Sequence, residues 1–258
     1  MPSPYENYLK NTTTNMIDNH VHIGWYTDGY HSPKEVWQAE QDAGIEDIAV
    51  SSTSTCAELY KLVVQEMREL IKLGGSHIHP ILWLTPRMMK TWGIRYMLHS
   101  KIKWQALKMH WEAHHEWYYN RKLTMEAMII ARKLNVPILL HTGDFKECHA
   151  SVFKPLSLEN PDLTFVLAHS RPIDETLDVL QNCTNTMVDT AFMPPQYVLR
   201  LAENGYTDRI LFGTDAPINL LFYEDRTTTE YIKSCRTVLQ DTLPQSVYKR
   251  IMSNQLYK

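Results

Sequence analysis

The feature that most limits the fold is a regular alternation of short β-rich runs with helix-period runs along nearly the whole chain. Strands are predicted near Met16–His22, Asp47–Ser51, His79–Leu84, Gln105–His110, Val136–His141, Leu163–His169, Thr186–Asp189 and Arg209–Thr214. Between them apolar residues recur at helical spacing. Leu59, Tyr60, Val63, Met67, Leu70 and Ile71 share one face, and so do Tyr231, Ile232, Cys235 and Leu239. Several strands are continuous apolar runs, such as ILL before His141 and TFVLA before His169. Runs of that kind suit parallel strands covered on both faces better than an exposed antiparallel sheet.

Eight strands alternating with helices describe an α/β protein, either a closed (β/α)8 TIM-like barrel or a doubly wound open sheet. No Gly-rich phosphate loop joins a strand to a helix, which weakens the dinucleotide-binding form of the open sheet. The 258 residues suit a barrel, which typically needs about 250 as one unit. One barrel domain over residues 16–258 is expected, behind a loosely attached polar tail at 1–15. Two longer segments, Thr85–Trp104 and Trp111–Thr124, are expected to stand over the barrel mouth.

Charge and composition narrow the partners. The net charge is −3 and no Lys/Arg block occurs, so a nucleic-acid partner is not indicated. The first residues lack the apolar core of a secretory signal, and no apolar run approaches the length of a membrane span. Cys56, Cys148, Cys183 and Cys235 are scattered without a CxxC pair, which fits a reducing cytoplasm. The expected partner is a small molecule, with assembly into a homo-oligomer left open.

The chemistry is concentrated where strands end. The first ends Asp18-Asn19-His20-Val21-His22, the fifth in His141, the sixth in His169 and the eighth in Gly213-Thr214-Asp215. In a parallel barrel all these ends meet at one face, where active sites lie. His20 and His22 are two apart and point to the same side, as do Lys108 and His110. The same alternation predicts that Phe165, Leu167 and His169 face inward together, and likewise Leu211, Gly213 and Asp215. Imidazole nitrogens and a carboxylate suit Zn²⁺, Fe²⁺ or Mn²⁺. Such an ion brings the pKa of a bound water near 7, and Asp215 is placed to hold that proton.

An internal control separates this His-x-His from a chance one. His77-Ile78-His79 precedes its apolar run and therefore starts a strand, at the face where residues serve stability. It is read as structural. His114, His115 and His149 fall in mouth loops and are read as solvated. Asp18 is expected below His20, as an orienting or structural carboxylate, whereas Asn19 should face the helices.

Together DNHVH, ALKMH, PILLHTG, FVLAHS and ILFGTDAP, closed by IMSNQLYK, resemble the amidohydrolase superfamily. More narrowly, the chain is similar to the small single-barrel, amidohydrolase-related branch, which includes proteins like aminocarboxymuconate-semialdehyde decarboxylase. The resemblance runs from about Met16 to the end. It implies a distorted (β/α)8 barrel, His20, His22, His141 and Asp215 around a metal, and His169 as a ligand or catalytic histidine. Two departures stand out. Ser170-Arg171-Pro172 replaces the glycines that commonly follow the sixth-strand histidine, and no room is left for the β-sandwich domain of urease-like relatives.

The expected activity is metal-dependent hydrolysis of a C–O or C–N bond in a small molecule, with His169 helping to hold developing charge. Non-oxidative decarboxylation on the same scaffold is the alternative, and a non-catalytic ligand-binding barrel is the rival of another class. One ion is expected, Zn²⁺ before Mn²⁺ or Fe²⁺, with a second only if Lys108 is carbamylated. Lys108, His110, Arg171 and Trp25 are the expected substrate contacts, Arg171 reading an anionic group.

Overall fold

The computed structural model describes residues 15–223 and 225–256. Of the expected tail, residues 1–14 therefore lie outside the described residues. Asn15 begins them, with its side-chain amide donating to Asp47 Oδ2 at 3.3 Å. No helix among the described residues is long and apolar enough to cross a membrane.

One sheet carries nine strands: β1 (Ile17–Tyr26), β2 (Gly29–His31), β3 (Asp47–Ser52), β4 (Ile78–Trp83), β5 (Ala106–Met109), β6 (Ile138–His141), β7 (Phe165–Ala168), β8 (Thr186–Asp189) and β9 (Ile210–Leu211). Their order is β2-β1-β3-β4-β5-β6-β7-β8-β9, all parallel except the β1–β2 hairpin. Beyond Leu211 the chain returns to β1. Asn19 N–H donates to Phe212 O at 2.8 Å, Asp215 N–H to His20 O at 2.8 Å and His22 N–H to Ala216 O at 2.7 Å. Those bonds close the eight parallel strands into the expected (β/α)8 barrel. Each of the eight expected strands is present, and β2 is an addition.

Helices cover the outside because their apolar stripes have only the sheet to bury against. The helix Tyr60–Gly74 turns Tyr60, Val63, Val64, Met67 and Leu70 inward, while Leu59, expected on that face, is exposed at its start. Helix Pro33–Asp42 begins with a capping box of Ser32 and Glu35, and Thr228–Thr242 with one of Thr227 and Glu230. Such a cap contributes about 1 kcal/mol by satisfying N–H groups the first turn leaves free.

Two apolar layers result. The larger lies between strands and helices. The smaller fills the barrel and draws on every parallel strand: Ile17, Ala49, Ile81, Ala106, Leu139, Val166 with Ala168, Met187 and Leu211. This layer corrects the expected facing of β7. Phe165 and Leu167 pack outward in the larger cluster, and Val166 and Ala168 point in. Strict alternation would then send His169 outward. Instead the backbone turns left-handed at His169 (φ +66°) and Ser170 (φ +54°), which brings the imidazole back inside.

The seam between β1 and the β9 extension is braced by side chains. Asp18 accepts from His20 N at 3.0 Å, Thr214 N at 3.1 Å and the Thr214 hydroxyl at 2.6 Å. Asn19 donates to Phe212 O at 3.0 Å and Asn254 O at 3.1 Å, tying the seam to the last helix. Asp18 is thus a structural carboxylate of the seam, and Asn19 has a role the sequence did not reveal.

Candidate metal centre

Above the inner apolar layer, the C-terminal strand ends bring together His20 and His22 from β1, Lys108 from β5, Asp189 from β8 and Asp215 from the β9 extension. His169 joins them through its left-handed turn. Gly213 makes the approach possible, since a Cβ there would lie 3.0 Å from His20 Cβ and 3.3 Å from Asp189 Cβ.

Three donor atoms converge. His20 Nε2 is 3.1 Å and His22 Nε2 2.8 Å from Asp215 Oδ1, and the two nitrogens are 3.2 Å apart. A tetrahedral ion with bonds near 2.0–2.1 Å holds neighbouring donors roughly 3.3 Å apart, so the set is close to what a divalent ion needs. The opposite ring nitrogens are fixed. His20 Nδ1 lies 2.8 Å from Asp189 Oδ2, and His22 Nδ1 lies 3.0 Å from Ser51 Oγ. A carboxylate on Nδ1 keeps the proton there and leaves the Nε2 lone pair outward, as a ligand requires.

Electrostatics agree with that assignment. Burial, and then the Lys108 ammonium, push His20 and His22 down to about 3, so both imidazoles are neutral. Burial takes His169 to about 3 as well. Its Nδ1 donates to Ala191 O at 3.2 Å, and its Nε2 stands 4.0 Å from Asp215 Oδ2. Burial alone would raise the Asp215 pKa, but the imidazoles of His20, His22 and His169 outweigh it and hold the carboxyl well below 3.8. Lys108 Nζ is 2.8 Å from His20 Nε2 and 2.9 Å from His22 Nε2. Burial lowers it to about 8 against the pull of Asp215 and Asp189.

His141, expected in the same ligand set, adjoins it edge-on to His169, the ring centroids 4.8 Å apart. Its Nε2 lies 3.1 Å from Glu112 Oε2, and its ring stacks on His110 at 3.6 Å. His110 in turn lies parallel to Trp83, 5.6 Å away, forming one wall of a cavity of about 510 Å³. Lys108, His110 and Arg171 all line that cavity. Trp25 does not. The hairpin carries it to the surface against Tyr30, half exposed, while Tyr26 on the opposite face of the strand lines the cavity.

Arg171 pairs with Asp144 Oδ2 at 3.3 Å and donates to Phe192 O at 3.2 Å. The left-handed turn before it is held without glycine. Asp189 Oδ1 accepts from His169 N at 2.9 Å, and the Ser170 hydroxyl sits 3.3 Å from Leu167 O and 3.2 Å from Asp189 O. A non-glycine residue in that region costs about 1–2 kcal/mol, which these bonds offset.

Of the histidines expected to be solvated, His115 is exposed, whereas His114 and His149 are partly buried, His114 Nε2 lying 3.8 Å from Cys56 Sγ. His77 and His79 lie at the start of β4, near Asp47 at 3.2 and 3.5 Å, far from the centre along the strands. His149 pairs with Glu175 at 3.0 Å. Asp189, Ser51, Glu112 and Cys148 were not singled out from sequence. Asp189 carried a usable signal, since it ends an apolar strand as His141 and His169 do. Glu112 and Cys148 sit in loops and carried none.

A closed parallel barrel whose C-terminal rim gathers buried imidazoles and carboxylates has the architecture of a barrel enzyme. The amidohydrolase family model matches residues 86–254, about two thirds of the 258-residue chain, and the chain belongs to that family. No curated protein matches it by sequence. Solved structures do. A probable 2-pyrone-4,6-dicarboxylic acid hydrolase from Acinetobacter baumannii, with citric acid bound, superposes with a TM-score of 0.67 at 12% identity, covering 92% of this chain and 96% of the other. 4-Oxalomesaconate hydratase from Rhodopseudomonas palustris gives 0.58 at 14% identity, covering 92% and 93%. 5-Carboxyvanillate decarboxylase from Novosphingobium aromaticivorans, complexed with manganese and a nitrobenzoic acid, gives 0.59 at 10% identity, covering 84% and 76%. At these identities the likeness is one of fold.

Proposed function

We propose that the protein is a metal-dependent hydrolase acting on a C–O or C–N bond of a small, anionic molecule. The observation that carries this reading is the convergence of His20 Nε2, His22 Nε2 and Asp215 Oδ1 within 3.2 Å, with His22 and Asp215 lining the cavity and each imidazole held from behind. A divalent ion held there, Zn²⁺ before Mn²⁺ or Fe²⁺, supplies Lewis acidity and brings the pKa of water toward neutrality.

The chain's own groups do the rest. Asp215 is ionised and accepts only, so its free Oδ2 can hold a water O–H and take the proton as attack proceeds. His169, its Nδ1 proton given to Ala191 O, presents the Nε2 lone pair to the same space, where it can accept from a substrate or water O–H and hold it in place. Lys108 Nζ, buried beside Trp83, offers a cation to the substrate, and Arg171 offers paired donors at the rim.

Non-oxidative decarboxylation is the second reading, favoured by Lys108 and Arg171 facing one cavity, where together they can hold a carboxylate. The metal-loaded protein is to be offered lactones, small amides and aromatic carboxylic acids. Water incorporated into product supports hydrolysis, and CO₂ release supports the second reading. Absence of both, together with absence of bound metal, would return the chain to a ligand-binding barrel.

A further inference from the structure

The imidazole of His110, just past β5, has its proton placed by the backbone. Ala113 N–H donates to His110 Nδ1 at 3.1 Å. A peptide N–H only donates, so Nδ1 is the bare nitrogen of a neutral ring and the proton sits on Nε2. A hydroxyl partner would have allowed either tautomer. The turn that supplies this bond is itself held. His114 N–H returns to His110 O at 3.1 Å, and Trp111 is buried edge-on against Phe153, the ring centroids 4.9 Å apart.

The rest of the ring is enclosed. Trp83 from β4 and His141 from β6 stack on it from the two strands that flank β5, with centroids 5.6 Å and 3.6 Å away. Both faces are thereby covered, and one edge is turned to Ala113. The edge that carries Nε2 is what His110 shows to the cavity it lines. Nε2 has no hydrogen-bond partner among the described residues. Its neighbours at this end of the cavity differ in kind: Asp215 and the Nε2 lone pair of His169 accept, and Lys108 donates as a cation.

We propose, on the reading of this cavity as the seat of hydrolysis, that His110 Nε2–H is a fixed, uncharged hydrogen-bond donor to a substrate oxygen, with Ala113 N–H fixing its tautomer. His110 is then a further catalytic residue. A neutral donor can stand beside Lys108 and a divalent ion without adding another like charge. The ring cannot turn over without losing Ala113 and breaking the stack, so the donor is aimed before substrate arrives. Preset donors of that kind contribute most where an oxygen gains negative charge as the reaction proceeds. They also select. A carbonyl or carboxylate oxygen at this point is held, whereas an alkyl group or an N–H leaves the Nε2 proton unpaired and is disfavoured.

The test is nitrogen NMR of the full-length, Zn²⁺-loaded protein with isotope-labelled histidine rings, His110 being assigned by the signals missing from His110→Gln. Nε2 should be protonated and Nδ1 bare throughout about pH 6–8. Benzoate, added as a carboxylate probe, should shift Nε2 and leave Nδ1 unprotonated. His110→Phe keeps a flat ring in the stack and removes the donor. It should bind benzoate about tenfold or more weakly. On whichever compound of the substrate screen is turned over, it should lower kcat about 10²-fold at unchanged metal content. His110→Gln, whose amide can place an N–H near the Nε2 position, should recover part of both losses. A proton found on Nδ1, or on both nitrogens at neutral pH, overturns the proposal. So does a benzoate titration that leaves Nε2 unmoved, a His110→Phe variant that binds benzoate as the parent does, or a His110→Gln variant no tighter than His110→Phe. Absence of hydrolysis with the tautomer and the benzoate shift retained would count against the proposed function alone.

Discussion

Asp189 Oδ2 lies 2.8 Å from His20 Nδ1, while its other oxygen accepts from the His169 backbone N–H at 2.9 Å. One buried carboxylate on β8 thereby sets the placement of two imidazoles that arrive from β1 and β7. Asp189→Asn keeps the shape and removes the charge that holds the proton on Nδ1. Metal affinity should fall about 10–100-fold, the usual effect of losing such a partner. Competition with a chelator measures it, and unchanged affinity would mean Asp189 only shapes the turn.

The two His-x-His pairs make a matched comparison. His20→Ala and His22→Ala should each lower metal occupancy sharply, whereas His77→Ala and His79→Ala should leave it near the parent value. His22 stands level with Ser51 near the end of β3, whereas His77 and His79 lie at the start of β4, and elemental analysis of the four purified variants decides the matter. Equal losses would contradict the placement of the centre.

Asp215→Asn should fold normally, because asparagine tolerates the left-handed backbone that Asp215 adopts at φ +63°. It cannot take a proton near neutral pH, so turnover should drop about 10²-fold or more. Steady-state kinetics at matched metal content test this. Near-parent turnover would remove Asp215 from proton transfer.

Arg171 has its side chain on Asp144 and the Phe192 carbonyl at the cavity edge, not on Asp174 or Glu175. Exchange of Asp144 for a substrate carboxylate would leave its fork geometry satisfied. Arg171→Met should raise KM for an anionic substrate much more than for a neutral analogue. Equal effects on both would assign Arg171 to holding the loop.

Glu40 is fully buried on helix Pro33–Asp42, and neither carboxyl oxygen has a hydrogen-bond partner among the described residues. Burial, with repulsion from Asp18, raises its pKa well above 4.5. The folded chain therefore keeps a proton that the unfolded chain loses, and stability falls as pH rises above about 4.5. Glu40→Gln removes this linkage. Its Tm should exceed the parent's at pH 8, by a margin that shrinks at pH 5; a margin that does not change would refute the assignment.

Much of this was legible in the sequence, for a physical reason. Parallel strands buried on both faces read as unbroken apolar runs, and polar residues closing those runs marked the functional rim. The hairpin strand Gly29–His31 escaped notice because three residues carry too little pattern. The facing of β7 escaped because alternation assumes an extended backbone, and no glycine advertised the left-handed turn at His169 and Ser170. His141 was correctly placed at a strand end, but which neighbour its ring turns to depends on Glu112, a loop residue with no periodic signature.

The inner layer has a consequence for how the gene can vary. On each of four strands an apolar floor residue sits two positions before a residue of the rim: Ala49 before Ser51, Ile81 before Trp83, Ala106 before Lys108, Leu139 before His141. Only about 6.6 Å of chain separates the two roles. A mutational screen scored by expression and one scored by turnover should therefore pick out neighbouring, non-overlapping rings of positions. Selection for a new substrate can rework the upper ring while the lower one keeps the barrel folded.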